Sequence, residues 1–342
     1  MVETQYSAGA FIFVGSGASR KYLILKRKGK GYDLPKGHIE KGESSGVAAI
    51  REIMEETSLR VTLVPYFSST AKYFYFENKK RVLKFVKYFL AESKSAGAKI
   101  SEEHAGFKWV SEQEFKKLLG YEDMLPLCDA AFSYARKLDE IKSINSEYSA
   151  LPEKSQGWEL SSRFVPGEGP LNAKLMIIGQ APGRVEDAKL KPFVGRSGKL
   201  LEAVLRRNKF RRDRIYIMSA VQFFPPENRM PTDQEVELCR PFLYRQLELV
   251  DPRYVILLGN LANQVLLGDG AVETNHGKIT EKGGRTYLTT FHPAAALRFR
   301  DKFPIMVDDV SKVAKLMKAS PRPSPRQWRN KAITHNRKGA KK

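Results

Sequence analysis

Residues Gly37–Leu59 read GHIEKGESSGVAAIREIMEETSL, and the spacing of charge in this run decides how the first half of the chain is understood. Val47, Ile50 and Met54 recur at helical spacing, which predicts a helix over about Ala48–Glu56 with those three on one apolar face. On that helix Glu52 and Glu56 stand at i and i+4, with Glu55 at i+3 from Glu52, so three carboxylates share a side. Like charges at this spacing repel by roughly 0.2–0.5 kcal/mol per pair, and a cation among them removes the penalty. Hard oxygen ligands suit Mg²⁺ or Mn²⁺, which keep several waters and bind phosphates directly. The bland reading of the same residues is a solvated acidic face.

Gly37, Glu43, Arg51, Glu52, Ile53, Glu55, Glu56 and Leu59 together match the box of the Nudix family, and Ser58 stands where that pattern usually has Gly. The flanking segments SAGAFIF, YDLPKGHIEKGE, VKYFLAE and ISEEHAGFKWVSEQEFKKLL resemble the asymmetrical diadenosine tetraphosphate hydrolases of that family. The resemblance implies that Glu52, Glu55 and Glu56 bind divalent ions or prime the attacking water, with Glu103 as a further ligand or base. It also implies that Lys36 and Lys84 contact a phosphate chain and that Tyr73 or Tyr88 stacks an adenine. Metal-assisted hydrolysis of nucleoside polyphosphates is the expected chemistry.

The formal charge of +21 over 342 residues indicates a polyanionic partner or a need for solubility, and nucleic acid is the favoured partner. After Asp309 no acidic residue follows, and from Ser320 the chain is rich in Pro, Ser, Lys and Arg, as in a disordered basic tail that tracks phosphates. No apolar run approaches the roughly 18 residues that span a bilayer, and Met1 leads into polar residues, so a cytoplasmic protein without membrane contact is expected. The two cysteines, Cys128 and Cys239, allow neither a disulfide framework nor a four-cysteine metal site.

Strands are expected near 10–14, 22–26, 71–77 and 82–91, with a closing helix from Asp123 to about Lys142. From Ala173 the pattern changes. LMIIG, IYIMSAV, YVILLG and TYLTTF are short apolar runs separated by the helical SGKLLEAVLRR, DQEVELCRPFLYRQLELV and NLANQVLL, which argues a parallel sheet covered on both faces. Thr232 with Glu235 forms a capping box. Ligand crevices in such sheets lie at the carboxyl ends of the strands, and Gly179–Gly183, Phe223–Asn228 and Phe291–Pro293 all fall there. The expected organisation is therefore residues 1–142 as an α/β/α sandwich with a mixed sheet, 143–157 as a linker, 158–318 as an α/β/α domain with a parallel sheet, and 319–342 as the tail.

GQAPGRVED, KPFVGRSGKLL, QFFPPENRMPTDQEVELCRPFL, ILLGNLANQVLLG and FHPAAALR resemble the uracil-DNA glycosylase superfamily, nearest its iron-sulfur family 4. By that resemblance Phe193 stacks the extruded base and His292 donates to its carbonyl. Gln180, Ala181, Pro182 and Gly183 press on base and sugar, Glu186 and Asp187 orient water, and Ala294–Arg298 follow the phosphates. Arg196, Arg229, Arg298 and Arg300 are the basic residues assigned to DNA. Gln180 replaces the family's Glu, and Ser219 replaces an Asn that reads the base edge. Phe223 replaces a cluster cysteine and WELSSRF lacks the leading Cys pair, so no iron-sulfur cluster is expected. Three readings stay open: uracil excision with weaker selection, excision of another damaged base, or DNA binding without cutting. In the last case a nucleic-acid tether delivers the hydrolase to capped or free dinucleotides.

Overall fold

The structure is a computed structural model and describes residues 3–78, 80–155 and 158–319; of the expected basic tail, 319–342, residue Ala319 still belongs to the last helix and 320–342 lie outside the described residues. In the first unit β1 (Glu3–Val14) is apolar at successive positions, the mark of a strand covered on both faces. It pairs antiparallel with β2 (Lys21–Arg27) and β4 (Lys36–His38), and parallel with β6 (Lys80–Ser93). β3 (Tyr32–Asp33) and β7 (His104–Val110) add to β2, and β5 (Val61–Glu77) forms the far edge against β6. Helix α1 (Ser45–Thr57) packs on Ala8, Ala10 and Ile12, while α2 (Glu112–Leu119) and α3 (Leu125–Ser149) cover Phe11 and Phe13 on the opposite face.

Two expectations change here. Val47, Ile50 and Met54 point to solvent, Val47 being 57% exposed; α1 instead seats Ala48, Ala49 and Ile53, because small side chains let the helix approach the sheet closely. The closing helix does not stop near Lys142. Ile141, Ile144 and Tyr148 extend one buried stripe, so residues 143–149, expected to open a linker, remain helical, and α4 (Leu151–Lys154) follows.

The second unit carries β8 (Leu175–Gly179), β9 (Ile215–Ser219), β10 (Tyr254–Leu258) and β12 (Arg285–Thr290) as parallel neighbours, with β11 (Ile279–Lys282) antiparallel on the edge in the order β11-β12-β10-β8-β9. All four apolar runs form the expected parallel strands. Helices α5 (Arg184–Lys189), α6 (Arg196–Arg207), α7 (Asp233–Val250), α8 (Asn260–Leu267), α9 (Val272–Asn275), α10 (Pro293–Arg298) and α11 (Lys302–Ala319) surround them. The Thr232–Glu235 capping box starts α7.

Helix α3 joins the units. Tyr148 stacks on Phe242 at 4.3 Å and 3°, Arg245 pairs with Glu147 at 2.6 Å, and the Lys137 ammonium donates to the carbonyls of Leu171 and Val250. Phe223, expected to fill the place of a cluster cysteine, packs edge-on against Tyr148 and Trp158 beside buried Cys239. Burial pushes the Cys239 thiol up to about 12, so it is a neutral packing residue. No helix among the described residues is long and apolar enough to cross a membrane.

Candidate active sites

Ser44 caps α1 by accepting from the Val47 N–H, and Ser58 ends it in the left-handed region at φ 55°. That is the conformation for which Gly is favoured, which explains the usual residue at this place. Arg51 organises the run between them. It makes two bonds to the Glu43 carboxylate, at 3.1 and 3.0 Å, and donates to Glu52, Glu55 and the His38 carbonyl. Sequence spacing matched Arg51 to a pattern without showing that it clamps loop to helix. Gly37 is required because a Cβ there would lie 1.9 Å from the Glu52 carboxyl carbon.

Glu56 is buried with an unpartnered Oε2. Burial pushes its carboxyl up to about 8, with the charges of Glu52 and Glu103 adding to the effect and Lys36 opposing it. Among the described residues no three acidic, histidine or cysteine side chains converge closely enough to hold an ion, since Glu52 and Glu55 turn to Arg51. The donor set still fits a hard divalent cation. A buried orphan oxygen repelled by neighbouring carboxylates is what such a cation relieves.

Next to this group lies a cavity of about 630 Å³ lined by Arg27, Asp33, Lys36, Tyr73, Tyr88 and Tyr121 among others. Burial alone would raise the Asp33 pKa, but Lys36 and Arg27, each at 2.7 Å, outweigh it and hold the carboxylate below its ordinary range. Asp33 thereby fixes both cations at the cavity wall, a role no local signal announced. Tyr88 is 2% exposed and packs on Phe11, so its ring face is unavailable for a base; Tyr73, 37% exposed, and Tyr121 present the accessible rings. Lys84 stands opposite Tyr73 in the ladder, near the Tyr75 ring rather than on the cavity wall.

The second cavity, about 770 Å³, opens at the carboxyl ends of β8, β9, β10 and β12. Phe193 reaches it in a left-handed conformation, φ 51°. Arg212 holds that turn through the Pro192 and Phe193 carbonyls, and Glu186 accepts from the Val194 and Gly195 N–H groups. Glu186 is thus a capping residue of α6 rather than a free carboxylate. Gly179 leaves room for the ring, since a Cβ there would sit 2.3 Å from Phe193 Cζ.

His292 caps α10, its Nδ1 accepting from the Ala294 N–H at 3.2 Å, 6.0 Å from the Phe193 ring. Its Nε2 is shielded and unpartnered, and burial pulls the pKa down to about 4. With Nδ1 accepting, the neutral ring carries its proton on Nε2. Gln180, Ala181, Pro182, Gly183 and Ser219 line the cavity, and the Gln180 amide contacts Met230 sulfur.

Three expected residues sit differently. Asp187 is outside the lining, one step along α5 from Glu186, with Arg163 at 3.7 Å. Arg229 lines the cavity but its guanidinium is spent on Glu235 and Glu159. Arg300 lies beyond the lining, on the exposed turn after α10, whereas Arg196 and Arg298 belong to it. Asn228, at the end of the loop expected at the crevice, and Asn260, which sequence reading gave no role, also line the wall.

Residues 166–318 match the family model of the uracil DNA glycosylase superfamily, and residues 3–129 match the NUDIX domain. A type-4 uracil-DNA glycosylase of Sulfurisphaera tokodaii is 31% identical over 191 residues, covering 52% of this chain and 86% of that one. The asymmetrical bis(5'-nucleosyl)-tetraphosphatase of Sus scrofa is 34% identical over 95 residues, 26% of this chain and 62% of its own length. A C. elegans Ap4A hydrolase crystal structure overlays 38% of this chain and 95% of its own at 30% identity and a TM-score of 0.34. The chain therefore belongs to the uracil-DNA glycosylase superfamily through its second unit, with type-4 enzymes among its relatives, and carries a Nudix domain in its first, both being families of hydrolases.

Proposed function

We propose that the chain is bifunctional and acts in the cytoplasm, with residues 158–318 excising uracil or another damaged base from DNA and residues 1–142 hydrolysing nucleoside polyphosphates. The observation that carries the first activity is the His292 imidazole, 6.0 Å from the Phe193 ring in the cavity lining with its Nε2 unpartnered. A base extruded onto the Phe193 ring would meet the Nε2–H as a donor, which stabilises negative charge on the departing base. Gln180 does not ionise and so cannot act as a base at its position. Excision then rests on stabilising the leaving group, while Arg196 and Arg298 contact phosphates. Ser219 offers one hydroxyl where an amide would make two bonds, which supports weaker selection for uracil.

The test is alkaline strand cleavage of a single-stranded oligonucleotide with one uracil, then of others with different damaged bases. Breaks made by the native protein and lost in His292→Ala and Phe193→Ala support excision. Absence of breaks on every substrate, with DNA binding retained, overturns it in favour of a domain that only binds nucleic acid.

For the first unit, Glu52, Glu55, Glu56 and Glu103 would hold Mg²⁺ or Mn²⁺. The cation supplies Lewis-acid polarisation of a phosphate and a bound water of lowered pKa. Lys36 and Arg27 face the cavity as phosphate partners, and Tyr73 with Tyr121 offers rings to an adenine, which supports a dinucleoside polyphosphate substrate, free or as an RNA cap. Diadenosine tetraphosphate left intact in the presence of Mg²⁺ or Mn²⁺ would rule this substrate out.

A further inference from the structure

Past the end of α1 the sheet of the first unit continues uncovered. α1 seats on Ala8, Ala10 and Ile12, and further along the same face β1, β5 and β6 carry Tyr6, Phe74, Phe76 and Phe85. Strand alternation places all four on one side, since Tyr6 and Phe85 are register partners and Phe74 and Phe76 flank the same ladder. Phe76 is 74% exposed and Tyr6 59%, a large apolar surface to leave in water. Tyr6 and Phe85 stack at 5.6 Å and 14°. Cations lie over the rings: Arg81 is 3.9 Å from the Phe74 centroid and Lys72 is 5.5 Å from that of Phe85. None of the same-face register positions at this end of β1, β5 and β6 is a carboxylate. Neither cavity includes Tyr6, Phe74, Phe76 or Phe85, so the patch is not the wall of either active site.

We infer that this face is a docking platform for single-stranded DNA. Exposed rings interleaved with cations meet the two needs of an unpaired strand, stacking for its bases and neutralisation for its phosphates. Phe74 and Phe76 are two residues apart on a strand, about 7 Å, which leaves room for one base between them. Duplex DNA fits poorly because its bases are already stacked on one another. The partner follows from charge as well, since the chain carries a net +21 and its second unit belongs to a DNA-processing superfamily.

The test is fluorescence anisotropy of a labelled oligothymidylate, which contains no uracil, with the full chain. Phe74→Ala/Phe76→Ala is expected to weaken binding about tenfold without changing the salt slope. Arg81→Gln is expected to flatten that slope by about 0.7. Circular-dichroism unfolding of each variant, expected at the native midpoint because the substituted side chains are exposed, serves as the folding control. Ultraviolet crosslinking of the native protein should place thymine adducts on peptides spanning residues 72–85. Affinity within about twofold of native in the double variant, an equal loss for duplex, or adducts confined to residues 180–230 would each overturn the proposal.

Discussion

Lowering the pH should act on His292 in two separable ways. Its ordinary pKa of 6.5 falls to about 4 in the fold because burial disfavours the charged ring. Between those values the unfolded chain binds the proton and the native chain does not. The stability His292 contributes is therefore full above about pH 6.5 and is lost as pH falls toward 4. At about 1.36 kcal/mol per pH unit the loss approaches 3 kcal/mol, reduced in practice because the ring borders an open cavity. The assay is denaturant unfolding at pH 7.5 and 4.5 for the native protein and His292→Gln; other titrating groups, His104 included, cancel in the difference between the two. The native protein should lose about 2–3 kcal/mol more than the variant. If the imidazole works as a neutral donor, excision by the native protein should show no acid limb near pH 6.5, falling only toward 4. An excision midpoint at 6.5, or equal acid sensitivity in both proteins, would refute the assignment of a shielded neutral ring.

Ser58→Gly should stabilise the chain by about 0.5–1 kcal/mol, since relief of the left-handed strain at φ 55° exceeds the extra entropy of Gly; thermal unfolding checks the sign, with Ser58→Ala expected to gain nothing. Tyr148→Ala should cost about 3–5 kcal/mol in urea unfolding because it empties a fully buried site between the units, whereas Tyr148→Phe should cost only about 1 kcal/mol for the lost Gln222 N–H contact. Gly37→Ala should displace the Glu52 carboxylate and lower polyphosphate hydrolysis by about 100-fold or more, while excision by the second unit stays unchanged.

Much of the candidate chemistry was legible because it is local. The carboxylates of α1, the capping box of α7 and the four apolar strands are set by neighbours within a turn or a pleat. His292 and the Gln180–Gly183 loop were found by strand-end position, and both line the cavity. Errors arose where a local pattern left the facing surface undetermined. Val47, Ile50 and Met54 form a good apolar stripe, yet the helix turns Ala48, Ala49 and Ile53 to the sheet instead. Tyr73 and Tyr88 both lie on the β5–β6 ladder, but Tyr88 falls where Phe11 covers it.

The sequence by itself determined where the acidic helix and the four parallel strands lie, which acidic groups share one helix and which loops gather at the end of the parallel sheet, because those relations span only a few residues. Tertiary structure alone decided which charges remain available and how the units join. Arg229 meets Glu159 across 70 positions, Arg245 meets Glu147 across 98, and Tyr66 meets Glu168 across 102. Pairings at such separation depend on the packing of whole elements, and no periodicity along the chain encodes them.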